Sequence, residues 1–241
     1  MVLGIIPARF ASSRFPGKPL IMIGGMSMVQ RVYEQACQAK TLHHVVVATD
    51  DARIYDHVLS FGGAVLLTRP EHPSGTDRCA EAALHFPAAE LVLNIQGDEP
   101  FVQPGQIDLL ANTLMQRPSH SIATLAKAIG DPEQLHNPNV VKVVFSRQNS
   151  ALYFSRHPIP YVRGASPESW LAHQTFYKHI GLYAYRARAL QRISRLAPTA
   201  LEKAESLEQL RWLENGLRIA VGLTALETIG IDTPEDLKKI P

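Results

Sequence analysis

The chain has 241 residues, 46% of them hydrophobic, enough to bury one sizeable core and close to the upper length of a single domain. Its 24 basic and 22 acidic residues leave a formal net charge of +2, too little for a broad field toward nucleic acid or anionic lipid, so any anion must be bound locally. The apolar run at Val2 to Ile6 is too short for a secretory or membrane segment and no later segment reaches such a length, which leads us to expect a cytoplasmic protein without membrane insertion. Cys37 and Cys79 share no metal-ligand spacing and read as reduced packing residues, Cys37 on the apolar side of a predicted helix.

Short β-rich runs alternate with amphipathic stretches through the first half. Val2 to Ile6 is the first predicted strand. A helical stripe then runs from Met26 to Lys40 through Met28, Val29, Val32, Tyr33, Ala36 and Cys37. His44 to Ala48, Ala64 to Thr68 and Leu91 to Ile95 are the next strands, with helices over Asp51 to Phe61 and Ser74 to His85 between them. This βαβαβαβ series predicts a mainly parallel sheet with the loops that follow its strands gathered on one edge. In the second half, Ala123 to Lys127, Val140 to Phe145, Ala151 to Phe154 and Ile180 to Tyr185 read as strands, and Ala204 to Gly216 as one helix. Pro158, Pro160, Gly164 and Pro167 mark an irregular loop or lid, and Thr233 with Pro234 opens a final helix.

Directly after the first strand comes Pro7-Ala8-Arg9-Phe10-Ala11-Ser12-Ser13-Arg14-Phe15-Pro16-Gly17-Lys18, three cations and small hydroxyl residues in one loop. A triphosphate needs such charge-assisted donors along a curved path, although a decorated surface turn has the same composition. The spacing is neither a Walker A nor a dinucleotide glycine motif. Gln96-Gly97-Asp98-Glu99 ends the fourth strand, so Asp98 is a candidate Mg²⁺ ligand, or simply part of a strand-ending turn. Asp232 is the second candidate if its loop meets that of Asp98, and a simple helix-entry residue otherwise. The stretch from Thr68 to Arg78 leads into a helix N-terminus suited to a phosphate or a base edge, and Ser74 equally suits a cap, Asp77 and Arg78 a surface pair. Arg156 at a strand end suits a substrate carboxylate, His179 a hydrogen bond to that carboxylate or to a hydroxyl or else a structural role at a strand start, and Glu208 with Gln209 interrupt a helix stripe where they face either sugar or solvent.

Taken together, Ile6-Pro7-Ala8-Arg9, Pro16-Gly17-Lys18-Pro19-Leu20, Ser74-Gly75-Thr76-Asp77-Arg78, Gln96-Gly97-Asp98-Glu99-Pro100, Asn137-Pro138-Asn139, Ala151 to Arg156, Leu207 to Arg211 and Asp232 to Leu237 resemble the 3-deoxy-manno-octulosonate (Kdo) cytidylyltransferase family over almost the whole chain. The resemblance implies an α/β nucleotide-diphospho-sugar transferase fold, a mainly parallel Rossmann-like sheet with a smaller lobe that carries sugar-binding and dimer contacts. It implies one domain over residues 1–241, with 1–120 mainly for CTP and 121–241 mainly for the sugar and a homodimer contact. It further implies transfer of CMP from CTP to Kdo for lipopolysaccharide synthesis, with Mg²⁺ as cofactor. By that similarity Arg9, Arg14 and Lys18 hold CTP phosphates, while the Ala8 backbone with Arg69, Ser74, Thr76 and Arg78 reads cytosine and ribose. Asp98 and Asp232 hold the metal, Gln96 serves both substrates, and Arg156, His179, Tyr183, Glu208 and Gln209 line the sugar pocket. Arg9, Lys18 and Asp98 carry the catalysis. His157-Pro158 and Ala184 depart from the family's usual residues and blur the sugar contacts. Close relatives acting on sialic acid or 8-amino-Kdo, and a non-catalytic nucleotide-binding regulator, remain open alternatives at this point.

Overall fold

The structure, a computed structural model, describes residues 1–11, 15–227, 230–231 and 233–239, with residues 238 and 239 as backbone only. Arg14 and Asp232 lie outside the described residues. In chain order the strands are β1 (Val2–Ala8), β2 (Met22–Ile23), β3 (Met26–Ser27), β4 (His44–Thr49), β5 (Val65–Leu67), β6 (Leu91–Asn94), β7 (Ile122–Ala128), β8 (Lys142–Phe145), β9 (Ala151–Ser155), β10 (Tyr177–Arg186) and β11 (Ile219–Leu223). The helices are α1 (Met28–Cys37), α2 (Ala52–Ser60), α3 (Gly75–Ala83), α4 (Pro104–Met115), α5 (Pro132–His136), α6 (Trp170–His173), α7 (Ala187–Ile193), α8 (Ala200–Glu205) and α9 (Glu208–Glu214).

Among these, nine strands form one sheet whose main path runs β11-β7-β10-β6-β1-β4-β5. β1 pairs in parallel with both β4 and β6, and β4 with β5, as the first-half pattern predicts. The sheet is buried on both faces, which is why β1 and β6 read as continuous apolar runs. One face packs Leu3, Ile5 and Val92 against Cys79 of α3, Leu190 of α7 and Trp212 of α9. The other packs Ile6, Leu91 and Leu93 against Val32 of α1, Ile54 of α2 and Leu110 of α4. Because β4 and β6 flank β1 on opposite sides, the strand order reverses there, and the loops leaving β1 and β6 open a crevice at the carboxyl edge.

The second half departs from the expectation in three places. β10 enters the sheet antiparallel between β6 and β7, and is longer than the predicted Ile180 to Tyr185. Its register shifts between Ile180 and Tyr183, a bulge of the kind that re-aims side chains beside active sites. The helix predicted over Ala204 to Gly216 is broken at Ser206, which adopts a left-handed conformation with φ 52°. The cause is distant in sequence: Arg156 Nε donates to the Glu205 carbonyl at 2.7 Å and Nη2 to the Ser206 carbonyl at 3.3 Å, taking acceptors that a continuous helix would use. At the C-terminus the predicted helix is a 3₁₀ segment, Pro234–Lys239, with Thr233 directly before it; the Asp236 carboxylate accepts the Thr233 N–H at 2.9 Å and its hydroxyl at 3.1 Å. Cys37 is exposed rather than packed, whereas Cys79 is buried.

Candidate active site

The loop after β1 is closed at its base by the Gly17 N–H, which donates to the Phe10 carbonyl at 2.9 Å. Gly17 has φ 72°, a left-handed conformation that favours glycine. Across the crevice, Gly97 is required for a different reason: a Cβ there would lie 2.9 Å from the Pro7 carbonyl oxygen, so only glycine lets the ends of β1 and β6 approach so closely. That approach sets Lys18 against Asp98, with Nζ donating to Oδ2 at 2.7 Å. The same ammonium donates to the Ile231 carbonyl at 2.9 Å, while the Ile231 N–H donates to the Asp98 carbonyl at 2.9 Å. Ile231 is buried beside Phe15, Ile23 and Met28. The C-terminal loop therefore does meet the β6 exit, on the residue that precedes Asp232.

These elements enclose an open cavity of about 210 Å³. Of the expected nucleotide residues, Ala8, Arg9, Lys18, Ser74, Arg78, Gln96 and Asp98 line it, so the structure brings together most of the group. Ser74 does cap α3, accepting the Asp77 N–H at 3.2 Å, and also donates to the Asp77 carboxylate at 2.6 Å. Arg78 makes no surface pair with Asp77: it is buried, donates to the Thr68 hydroxyl at 2.5 Å and lies 3.4 Å from the Asp50 carboxylate. Arg69 is not in this cavity. Its side chain lies 3.5 Å from Glu81 and lines a groove between α3 and α7. Glu81 also accepts the Arg69 N–H at 3.1 Å and a short bond from the ring of His72, which lines the cavity. Burial raises the Glu81 carboxyl, but these donors outweigh it and hold it below the usual range.

Of the expected sugar residues, Gln96, His179 and Tyr183 gather around the bulge of β10. Gln96 Nε2 donates to the Gly181 carbonyl in that bulge at 3.1 Å, which joins the end of β6 to β10. The Thr124 hydroxyl lies 2.8 Å from the Leu182 carbonyl, 3.1 Å from that of Ile180 and 2.9 Å from His179 Nε2. With one proton to give and two carbonyls to receive it, Thr124 accepts from His179, which places the imidazole proton on Nε2 and leaves Nδ1 an acceptor. The ring lies against Phe154 and Tyr183. Burial pushes the His179 pKa down to about 3, so it is neutral at working pH.

Tyr183 is buried against the edge of Trp212, and its hydroxyl has no hydrogen-bond partner among the described residues. Burial and the nearby Glu208 charge raise its pKa well above the ordinary value, so this hydroxyl stays protonated and suits a polar ligand atom. Glu208 joins the two halves, accepting from the Thr76 hydroxyl at 2.7 Å and from Arg211 at 2.6 Å. Burial raises the Glu208 carboxyl despite those partners. Gln209 is buried, not solvated. Arg156 is the member the structure sets apart, because its guanidinium donates to the carbonyls of Pro138, Glu205 and Ser206.

The His179 environment gives a prediction about acid stability. With a folded-state pKa of about 3 against an ordinary 6.5, its contribution is complete above pH 6.5 and is lost as pH falls toward 3. At about pH 5 the loss is about 2 kcal/mol. The stability gap between the wild-type chain and His179→Asn should therefore narrow between about pH 7 and pH 5 in urea titrations; a constant gap would contradict a buried neutral imidazole.

The family model described as Cytidylyltransferase matches residues 3–219. The 3-deoxy-manno-octulosonate cytidylyltransferase of Cytophaga hutchinsonii is 55% identical over 242 residues, 99% of this chain and 96% of that protein. The chain belongs to the 3-deoxy-manno-octulosonate cytidylyltransferase family. A second family member, from Parabacteroides distasonis, is 54% identical over 98% of this chain and 95% of its own length. The solved structure of CMP:2-keto-3-deoxy-manno-octonic acid synthetase complexed with CTP superimposes with a TM-score of 0.92 at 43% identity, covering 99% of this chain and 95% of the other. The fold is that of the nucleotide-diphospho-sugar transferases, as the cytidylyltransferase motifs imply.

Residues with no assigned role in the motifs also shape this site. Thr124 fixes His179 and the β10 bulge, yet reads only as an ordinary strand threonine because its partners lie 55 to 58 positions away. His72 and Glu81 are nine positions apart, and their pairing depends on the turn before α3.

Proposed function

We propose that the protein transfers CMP from CTP to Kdo, giving CMP-Kdo and pyrophosphate. The observation that carries this reading is the juxtaposition, at the point where the sheet order reverses, of Arg9, Lys18 and Asp98 with Gln96, which links that cavity to the His179 and Tyr183 cluster. Family membership over the full chain supports the same nucleotide and sugar.

In this reading Arg9 and Lys18 hold the triphosphate, and Ser74 and Arg78 shape the wall facing the nucleoside. Tyr183, His179 and Gln209 orient the sugar so that its anomeric hydroxyl is in line with the α-phosphorus. The hydroxyl oxygen forms the new P–O bond as its proton passes to solvent, the bond from the α-phosphorus to the bridging oxygen breaks with that oxygen leaving on pyrophosphate, and no covalent enzyme intermediate forms. Catalysis then rests on positioning and charge neutralisation.

The donor set suits Mg²⁺, because a hard cation of this kind takes one or two carboxylates and completes its shell with phosphate oxygens and water. Asp98 supplies a carboxylate at the cavity wall, and Asp232 is the next residue in sequence after Ile231, which bonds to both Lys18 and Asp98. Mg²⁺ held there would neutralise phosphate charge and lower the pKa of the attacking hydroxyl.

The test is pyrophosphate release by the purified chain with CTP and Mg²⁺, with Kdo, 8-amino-Kdo or sialic acid supplied separately and the product identified by mass. Kdo should give the highest kcat/KM. Preference for another sugar would reassign the acceptor, and CTP binding without product from any sugar would turn the reading toward a non-catalytic regulator.

A further inference from the structure

The residues next to the two phosphate-loop cations are locked to each other and to α2. Phe10 directly follows Arg9, Gly17 directly precedes Lys18, and the Gly17 N–H donates to the Phe10 carbonyl at 2.9 Å. The Phe10 ring lies so close to Gly17 that a Cβ there would be 3.1 Å from it. Over the same ring lies the Arg53 guanidinium, its central carbon 3.3 Å from the centroid. Arg53 is itself fixed: Nε and Nη2 donate to the two carboxylate oxygens of Asp51 at 2.9 and 2.6 Å. Asp51 is the N-cap of α2 and accepts the Arg53 N–H at 3.0 Å, so this carboxylate is anchored to the helix that follows β4.

We propose that Arg53, held by Asp51, is a positioning residue that clamps Phe10 against Gly17 and thereby sets the spacing of Arg9 and Lys18 for the triphosphate. The assignment rests on the CTP reading above. A guanidinium face is attracted to an aromatic ring, and its bidentate bond to Asp51 commits two of its nitrogens, which suits it to orient the loop rather than to bind phosphate. Fixing both ends of a short loop before the ligand arrives removes ordering entropy from the binding step, so the clamp acts on CTP affinity. Kdo is held by the β10 cluster, which Arg53 does not touch.

The test uses the full chain with Arg53→Ala, Arg53→Lys and Phe10→Leu, and with Arg53→Ala and Phe10→Leu combined. Each single variant should raise KM for CTP, and the Kd for CTP by calorimetry, by about threefold to tenfold, with KM for Kdo and the melting temperature unmoved. Lysine keeps the charge but lacks the planar fork, so Arg53→Lys should stay impaired. The combined variant should be no worse than the weaker single one, because both remove the same contact. The proposal is overturned if Arg53→Ala leaves CTP affinity within about twofold of wild type, if both KM values rise together, or if the combined effects multiply. Calorimetry with CTP needs no turnover, so it decides the clamp even if the wild-type chain fails to use Kdo, an outcome that would count against the function alone.

Discussion

Asp98→Asn is expected to lower turnover about 100-fold or more while the protein keeps its fold. Asparagine has the same shape and retains one acceptor oxygen, so what is lost is charge. Two things depend on that charge: the ion pair with Lys18 at 2.7 Å and, in the proposed reaction, a hard anionic oxygen for Mg²⁺. The backbone of the site is insulated from the change, since the Asp98 carbonyl and not its side chain receives the Ile231 N–H. The side chain is 32% exposed, which limits the effect on stability. Pyrophosphate release at saturating CTP and Kdo, measured while Mg²⁺ is raised, separates weakened metal binding from lost chemistry. Near-normal rates at saturating Mg²⁺ would remove Asp98 from the metal site.

The parallel half of the fold is legible because its signals are local. Val2 to Ile6 and Leu91 to Ile95 are apolar at every position since both faces of the sheet are covered, and the strands found differ from the expectation by only a residue or two. The cations that follow β1 and the Gln96-Gly97-Asp98 turn were readable for the same reason: each lies at the end of a strand, where an open sheet gathers its loops. Legibility fails where a partner is remote. Nothing around Ser206 marks a helix break; the break follows from Arg156, 50 positions earlier, whose donors capture the Glu205 and Ser206 carbonyls. The antiparallel insertion of β10 is likewise a property of its neighbours β6 and β7, not of its own residues. Arg156 shows the limit for site residues: an arginine looks the same in sequence whether it faces a substrate or is bound to carbonyls of its own chain.

Lys18→Ala tests the junction on which the site depends. Its side chain is 14% exposed, and its ammonium is in contact with two segments that the chain brings together from 80 and 213 positions away, the Asp98 carboxylate and the Ile231 carbonyl. In the proposed reaction it also meets the triphosphate. Loss of a cation that neutralises phosphate charge in a confined cleft should reduce kcat/KM for CTP about 100-fold. Arginine should not restore it, because a compact ammonium at this junction meets acceptors on two segments, whereas a planar fork directs its donors in one plane. The pairing with Asp98 makes a further demand. If the two residues act through one another, the Lys18→Ala and Asp98→Asn losses should combine to well below their product, since the second substitution removes a partner already lost. Fully multiplicative losses would mean that Lys18 serves the phosphates and Asp98 serves the metal independently, and the 2.7 Å ion pair would then belong only to the enzyme without substrate.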